Sequence, residues 1–162
     1  NGCFKEALDI IHRLLKRPHE LKSNLMNVLQ NALDINRQLD KMEECKLLLK
    51  TFILYYEVHF IGKLNLLSWS LTNLQMTEDE VAEYATVIQI IAEELGVVLT
   101  TGSAIENIKL LKDVNKSANS TYTQIQLSFK GKSKDERRIL LHQYLESNPP
   151  LFYRELAKQA LA

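Results

Sequence analysis

An all-α fold of about seven helices is predicted by three observations. Apolar residues recur at helical spacing along most of the chain, four Ser/Thr/Asp-x-x-Glu signatures announce helix starts, and strand-type alternation is confined to one short segment. The expected architecture is an antiparallel helical bundle, or a helical-repeat (superhelical) array, around a central apolar helix. At 162 residues, 46% of them hydrophobic, the chain is sized for a single domain over 1–162 that buries its core without disulfides or metals.

The elements follow in order. Phe4, Ala7, Leu8, Ile11, Leu14 and Leu15 form one buried stripe at i, i+3, i+4, i+7, and Pro18 ends that helix. A second stripe runs through Leu21, Leu25, Val28, Leu29, Ala32, Ile35 and Leu39, with Ser23, Asn27, Gln30, Asp34 and Arg37 on the wet side. Asp40 with Glu43, Thr77 with Glu80, Ser103 with Glu106, and Ser133 with Glu136 have capping-box spacing, so each is expected to open a helix. Gly96 suits the C-terminal stop of the helix that begins near Glu78, and Pro149 and Pro150 separate the last two helices.

Leu47 to Leu71 is the most apolar stretch. It has the roughly 20 residues that a membrane span needs, but Lys50, Glu57, His59 and Lys63 would lie in hydrocarbon, where a charge costs at least about 2.5 kcal/mol. Glu43, Lys50 and Glu57 stand seven apart and form a narrow polar stripe on an apolar cylinder. The stretch is therefore expected to be the central helix of a bundle, with a separate shorter helix beyond Gly62, around Leu64 to Leu74.

Residues 115–133 are the exception. Ile125, Leu127 and Phe129 alternate with Gln124, Gln126 and Ser128, the period of a half-buried strand. A lone strand has no ladder partner, so a long loop or extended segment is expected, either packed on the helices or engaging a partner or neighbouring chain through its backbone edge.

Composition limits function without naming it. Twenty Lys plus Arg balance 20 Asp plus Glu, so no overall field draws the chain to nucleic acid or to anionic membrane. Cys3 and Cys45 are no disulfide framework; buried thiols, and hence an intracellular, cytoplasmic or nuclear setting, are expected. The first residue is Asn1 and no leader pattern follows it, as in a piece of a longer protein. Asn115-Lys116-Ser117 and Asn119-Ser120-Thr121 match the glycosylation acceptor pattern, which polar loops also produce by chance.

Catalysis finds no converging groups. His12, His19, His59 and His142 are scattered, and no paired Cys-x-x-Cys or HExxH supports a metal, so neither a cofactor nor an enzymatic activity is expected. Gly131-Lys132-Ser133 resembles the end of a phosphate-binding loop, but Gln126 stands where the first glycine should be. Charge segregation is the stronger signal. No Lys or Arg occurs between Leu64 and Ile108, where Glu78, Asp79, Glu80, Glu83, Glu93, Glu94 and Glu106 give seven acids; from Lys109 to Arg138 there are eight bases.

Gly2-Cys3-Phe4-Lys5-Glu6-Ala7-Leu8 resembles the second helix of a tetratricopeptide-type repeat, with a turn Gly, an aromatic and a small residue at fixed offsets. Met42-Glu43-Glu44-Cys45 echoes it, with Met for the aromatic and Cys for the small residue; the first-helix Trp, Leu, Gly and Tyr pattern is missing, and nothing after Gly62 repeats. For residues 1–60 the resemblance implies a scaffold of helical hairpins and no functional residues. The leading expectation is a non-enzymatic protein–protein interaction or scaffold domain, whose partner is another protein or another region of the parent chain. Its candidate partner-binding residues are Ile125, Leu127, Phe129, Lys130, Lys132, Lys134, Arg137 and Arg138. The alternatives are a bundle binding an apolar ligand or lipid among Phe52, Tyr55, Tyr56, Phe60 and Trp69, and a nucleic-acid-binding domain using the basic 130–138 segment.

Overall fold

Helical periodicity governs nearly all of the molecule. The computed structural model describes residues 2–17, 24–56 and 58–162, and of residues 2–5 the backbone alone. Pro18, His19, Leu21, Ser23 and Glu57, and the side chains of Cys3 and Phe4, lie outside the described residues. Nine α-helices and no strand occur among the described residues, close to the seven expected. The chain divides into two compact units, Asn1–Met76 and Thr77–Ala162, where the sequence suggested one domain.

The first unit holds α1 (Gly2–Leu15), α2 (Leu25–Gln38), α3 (Met42–Tyr55) and α4 (Phe60–Asn73). Each packs on the next: α1 on α2, α2 on α3, α3 on α4. Leu29, Ala32 and Leu33 of α2 and Cys45, Leu49, Phe52 and Ile53 of α3 are fully or almost fully buried, as the stripes require. The Cys45 thiol donates to the Leu33 carbonyl at 3.4 Å, and burial pushes its pKa up.

Two local expectations fail here. Asp40 does not cap α3; it closes α2. Its φ of +57° puts it in the left-handed region, and the Lys41 N–H reaches back to the Asn36 carbonyl at 2.8 Å, the six-to-one bond that ends a helix. Helix α3 then starts at Lys41 without a side-chain cap. The apolar stretch breaks before Gly62, one helix ending at Tyr55 and the next beginning at Phe60, and Gly62 lies inside α4. A Cβ on Gly62 would stand 2.7 Å from Val58 Cγ1 and 3.5 Å from Met26 Sδ, so the glycine serves close approach rather than a turn. Two helices of equal length, 14 residues each, thus stand where a long central helix and a shorter one were expected. No helix among the described residues is long and apolar enough to cross a membrane.

The second unit holds α5 (Glu78–Ala82), α6 (Ala85–Leu95), α7 (Ala104–Leu127), α8 (Lys134–Glu146) and α9 (Leu151–Leu161). Helix α7 packs against α5, α6, α8 and α9, and α9 packs also on α6 and α8. Capping boxes form at Thr77/Glu80 and Ser133/Glu136, as their spacing predicts. At Ser103 the box is half made. Its hydroxyl accepts from the Glu106 N–H at 3.1 Å, while Glu78 replaces Glu106 as the second partner, accepting from the Ser103 hydroxyl and the Ala104 N–H. These bonds hold the Glu78 carboxyl below its usual range, the Ser103 hydroxyl first among them. Gly96 ends its helix at φ +65°, with the Val97 N–H on the Ala92 carbonyl at 2.8 Å.

Residues 115–127 are helix, not loop or extended chain. The reason is a seam that the short alternation masks: Ile108, Leu111, Asn115, Ala118, Tyr122 and Ile125 follow one another at alternating steps of three and four. Ile108, Leu111 and Tyr122 are buried on it. Asn115, the polar member, accepts a hydrogen bond from the Tyr153 hydroxyl of α9 at 2.9 Å. That contact engages the first glycosylation-pattern asparagine within the fold.

Candidate basic cleft

Helix α8 is amphipathic in an unusual way. Lys134, Arg137, Arg138 and Leu141 occupy i, i+3, i+4 and i+7, the spacing of one face. Continued towards the C-terminus, that face holds Tyr144, and both Leu141 and Tyr144 are buried. Over its first turns the same face carries three bases, so the apolar seam along which helices pack ends at Leu141. A cleft of about 470 Å³ opens there, lined by Phe129, Lys134, Arg137, Arg138 and Leu141, with Ala160, Leu161 and Ala162.

The approach to the cleft is set by a tight turn. Helix α7 ends with the Ser128 N–H on the Gln124 carbonyl at 3.0 Å and the Lys132 N–H on the Phe129 carbonyl at 3.1 Å. Gly131, at φ +75°, supplies the left-handed residue that the turn requires. Ser133 then caps α8 and binds the Glu136 carboxylate through its N–H at 2.7 Å and its hydroxyl at 2.8 Å. The Ser133 N–H keeps the Glu136 carboxyl below its ordinary range, so this acid is charged and committed to the cap. Arg137 Nε donates to the Lys132 carbonyl at 3.0 Å, which fixes the guanidinium at the rim. None of Lys134, Arg137 and Arg138 forms an ion pair among the described residues.

Of the eight residues expected from the sequence, the structure brings Phe129, Lys134, Arg137 and Arg138 together. Lys130 and Lys132 sit in the adjoining turn, exposed and half-buried respectively. Ile125 and Leu127 do not join them: Ile125 lies half-buried on the α7 seam, and Leu127 is 71% exposed. Pairing through a strand edge is also excluded for 125–127, because their backbone is helical. Leu141 and Leu161 went unrecognised. Leu141 was available from its spacing to Lys134; Leu161 was not, since only folding brings it beside them.

The other candidates separate. Phe52 is buried and stacked on Tyr56, ring centroids 4.4 Å apart, whereas Tyr55 is 76% exposed, so the aromatic set is split between core and surface. The acids of 78–106 act in part as helix caps, at Glu78 and Glu80. His59 Nδ1 accepts from the Ile61 N–H at 3.3 Å and starts α4. Among the described residues no group of three or more His, Cys, Asp or Glu could hold a metal ion. The chain matches no protein-family model, no curated protein and no solved structure.

Proposed function

We propose that this chain is a non-enzymatic protein–protein interaction or scaffold module, with helical-repeat character in its first unit, acting on another protein or another region of a parent chain. The observation that carries the reading is the interrupted seam of α8. A packing face that turns from Leu141 to Arg138, Arg137 and Lys134 leaves apolar floor and unpaired charge open together, the composition of a docking site. The neighbour-on-neighbour packing of α1 to α4 supports the scaffold character, since stacked helical hairpins are built that way. The buried free thiol of Cys45 supports an intracellular setting.

Site-directed photocrosslinking tests this. A photoreactive residue replacing Arg138 should give a discrete adduct in cell extract that excess unmodified protein competes away. The same residue replacing His142, also exposed on α8 but outside the cleft lining, should not. Equal labelling from both positions, or none from either, would refute a partner at the cleft.

A further inference from the structure

We infer that the cleft takes an acidic segment carrying a bulky apolar side chain, the apolar group lying on Phe129, Leu141 and Leu161 and flanking carboxylates meeting Arg137, Arg138 and Lys134. This deepens the interaction reading and rests on it. Charge complementarity decides the occupant. Three cations line the opening and no acidic side chain does; of the two acids beside them in sequence, Glu136 is held by Ser133 and Asp135 lies outside the lining. Guanidinium groups without carboxylate partners beside a partly dry floor favour planar oxyanions, which they bind in a forked geometry that an ammonium cannot match.

The floor decides between a protein and a nucleic acid. A nucleic-acid track needs phosphate contacts along an open groove, with exposed aromatic faces for the bases. Here the single aromatic of the lining, Phe129, is half-buried, and the remaining uncharged members, Leu141, Ala160, Leu161 and Ala162, are aliphatic. A volume of about 470 Å³ suits a side chain or two rather than a strand. The periodicity points the same way. Lys134, Arg137, Arg138 and Leu141 continue the seam on which Tyr144 packs, so an amphipathic acidic helix laid along it would extend the helix packing already present in the unit.

The test is fluorescence anisotropy on the full chain, with a labelled peptide of about 15 residues in which Leu and Phe stand at i, i+3 and i+4 among glutamates. Binding is expected, weakened at least about tenfold by the double charge reversal Arg137→Glu with Arg138→Glu. The exposed positions of both arginines keep circular dichroism and Tm unchanged. Phe129→Ser should weaken binding too. A peptide with Ser in place of Leu and Phe should bind much more weakly; equal binding would show charge attraction alone and overturn the inference. Tighter binding of a single-stranded oligonucleotide or of vesicles containing phosphatidylserine would overturn it as well. So would absence of peptide binding up to about 1 mM. Should a competed crosslink from position 138 persist in that last case, the interaction reading stands and only the partner's chemistry falls.

Discussion

Asn115→Ala should destabilise the protein, although its helical position alone would favour alanine. Tyr153 is 1% exposed, and its hydroxyl donates to Asn115 Oδ1 at 2.9 Å, across 38 residues of sequence. Removing the acceptor leaves the buried phenol only the Asn115 main-chain carbonyl, 3.4 Å away, which alanine retains, so the penalty falls towards the lower end of about 1–3 kcal/mol. Alanine regains roughly 0.5 kcal/mol of helix propensity, so the net loss expected is about 0.5–1.5 kcal/mol. Tyr153→Phe leaves a half-buried amide that water can reach, and should cost only about 0.5–1.5 kcal/mol. The double variant should cost less than the sum of the two, with a coupling of about 1 kcal/mol. Urea unfolding of the full chain, read by circular dichroism, measures all three, and Asn119→Ala at an exposed site of the same helix should be neutral or slightly stabilising. Additive losses, or an Asn115→Ala variant as stable as Asn119→Ala, would refute both the hydrogen bond and the helical course of residues 115–122.

Ile125→Ser and Leu127→Ser should part company: the first lowers stability by about 1–2 kcal/mol, while the second stays within about 0.5, because a helix turns one inward and the other outward. Equal losses in urea midpoints would favour the strand alternation. Leu49→Asp places a carboxylate at a site 0% exposed and should unfold the first unit at a cost of several kcal/mol; a far-ultraviolet spectrum and melt like the parent's would put residue 49 on a surface. Gly131→Ala should lose about 1–2 kcal/mol through backbone strain alone, since φ is +75° and no atom lies within 4 Å of the added carbon. Glu78→Gln probes the cap of α7. Because folding lowers the Glu78 pKa, its contribution is complete above the ordinary value of 4.5 and disappears as pH falls through the lower folded value. The stability gap between parent and Glu78→Gln should therefore close on acidification; a gap independent of pH would sink the charge-based cap.

Helical class, most element starts and the basic end of the candidate site were legible because their signals are local. Thr77/Glu80 and Ser133/Glu136 make the boxes that their spacing promises, Gly96 stops its helix in the left-handed region, and Pro149 and Pro150 lie between the last two helices. Asp40 misled because a short acid also suits the left-handed position that closes α2, and the choice between opening and closing a helix depends on which backbone group it meets. Lys134, Arg137 and Arg138 could be read as a basic cluster, but their convergence on Leu161 could not.

By itself the sequence determined that this chain is helical, where most helices begin and end, and that its charge is segregated. Those properties follow from periodicity, capping and backbone preference within a few residues. Tertiary structure alone decided the course of residues 115–127. Their three-residue alternation and their longer heptad-like seam compete as patterns, and the seam prevails once Tyr122 is buried and Asn115 is satisfied by Tyr153 from another helix. The cleft has the same origin. A basic turn on an amphipathic helix is ordinary surface until α9 places Leu161 beside it, and a contact between residues so far apart in sequence is written in no local pattern.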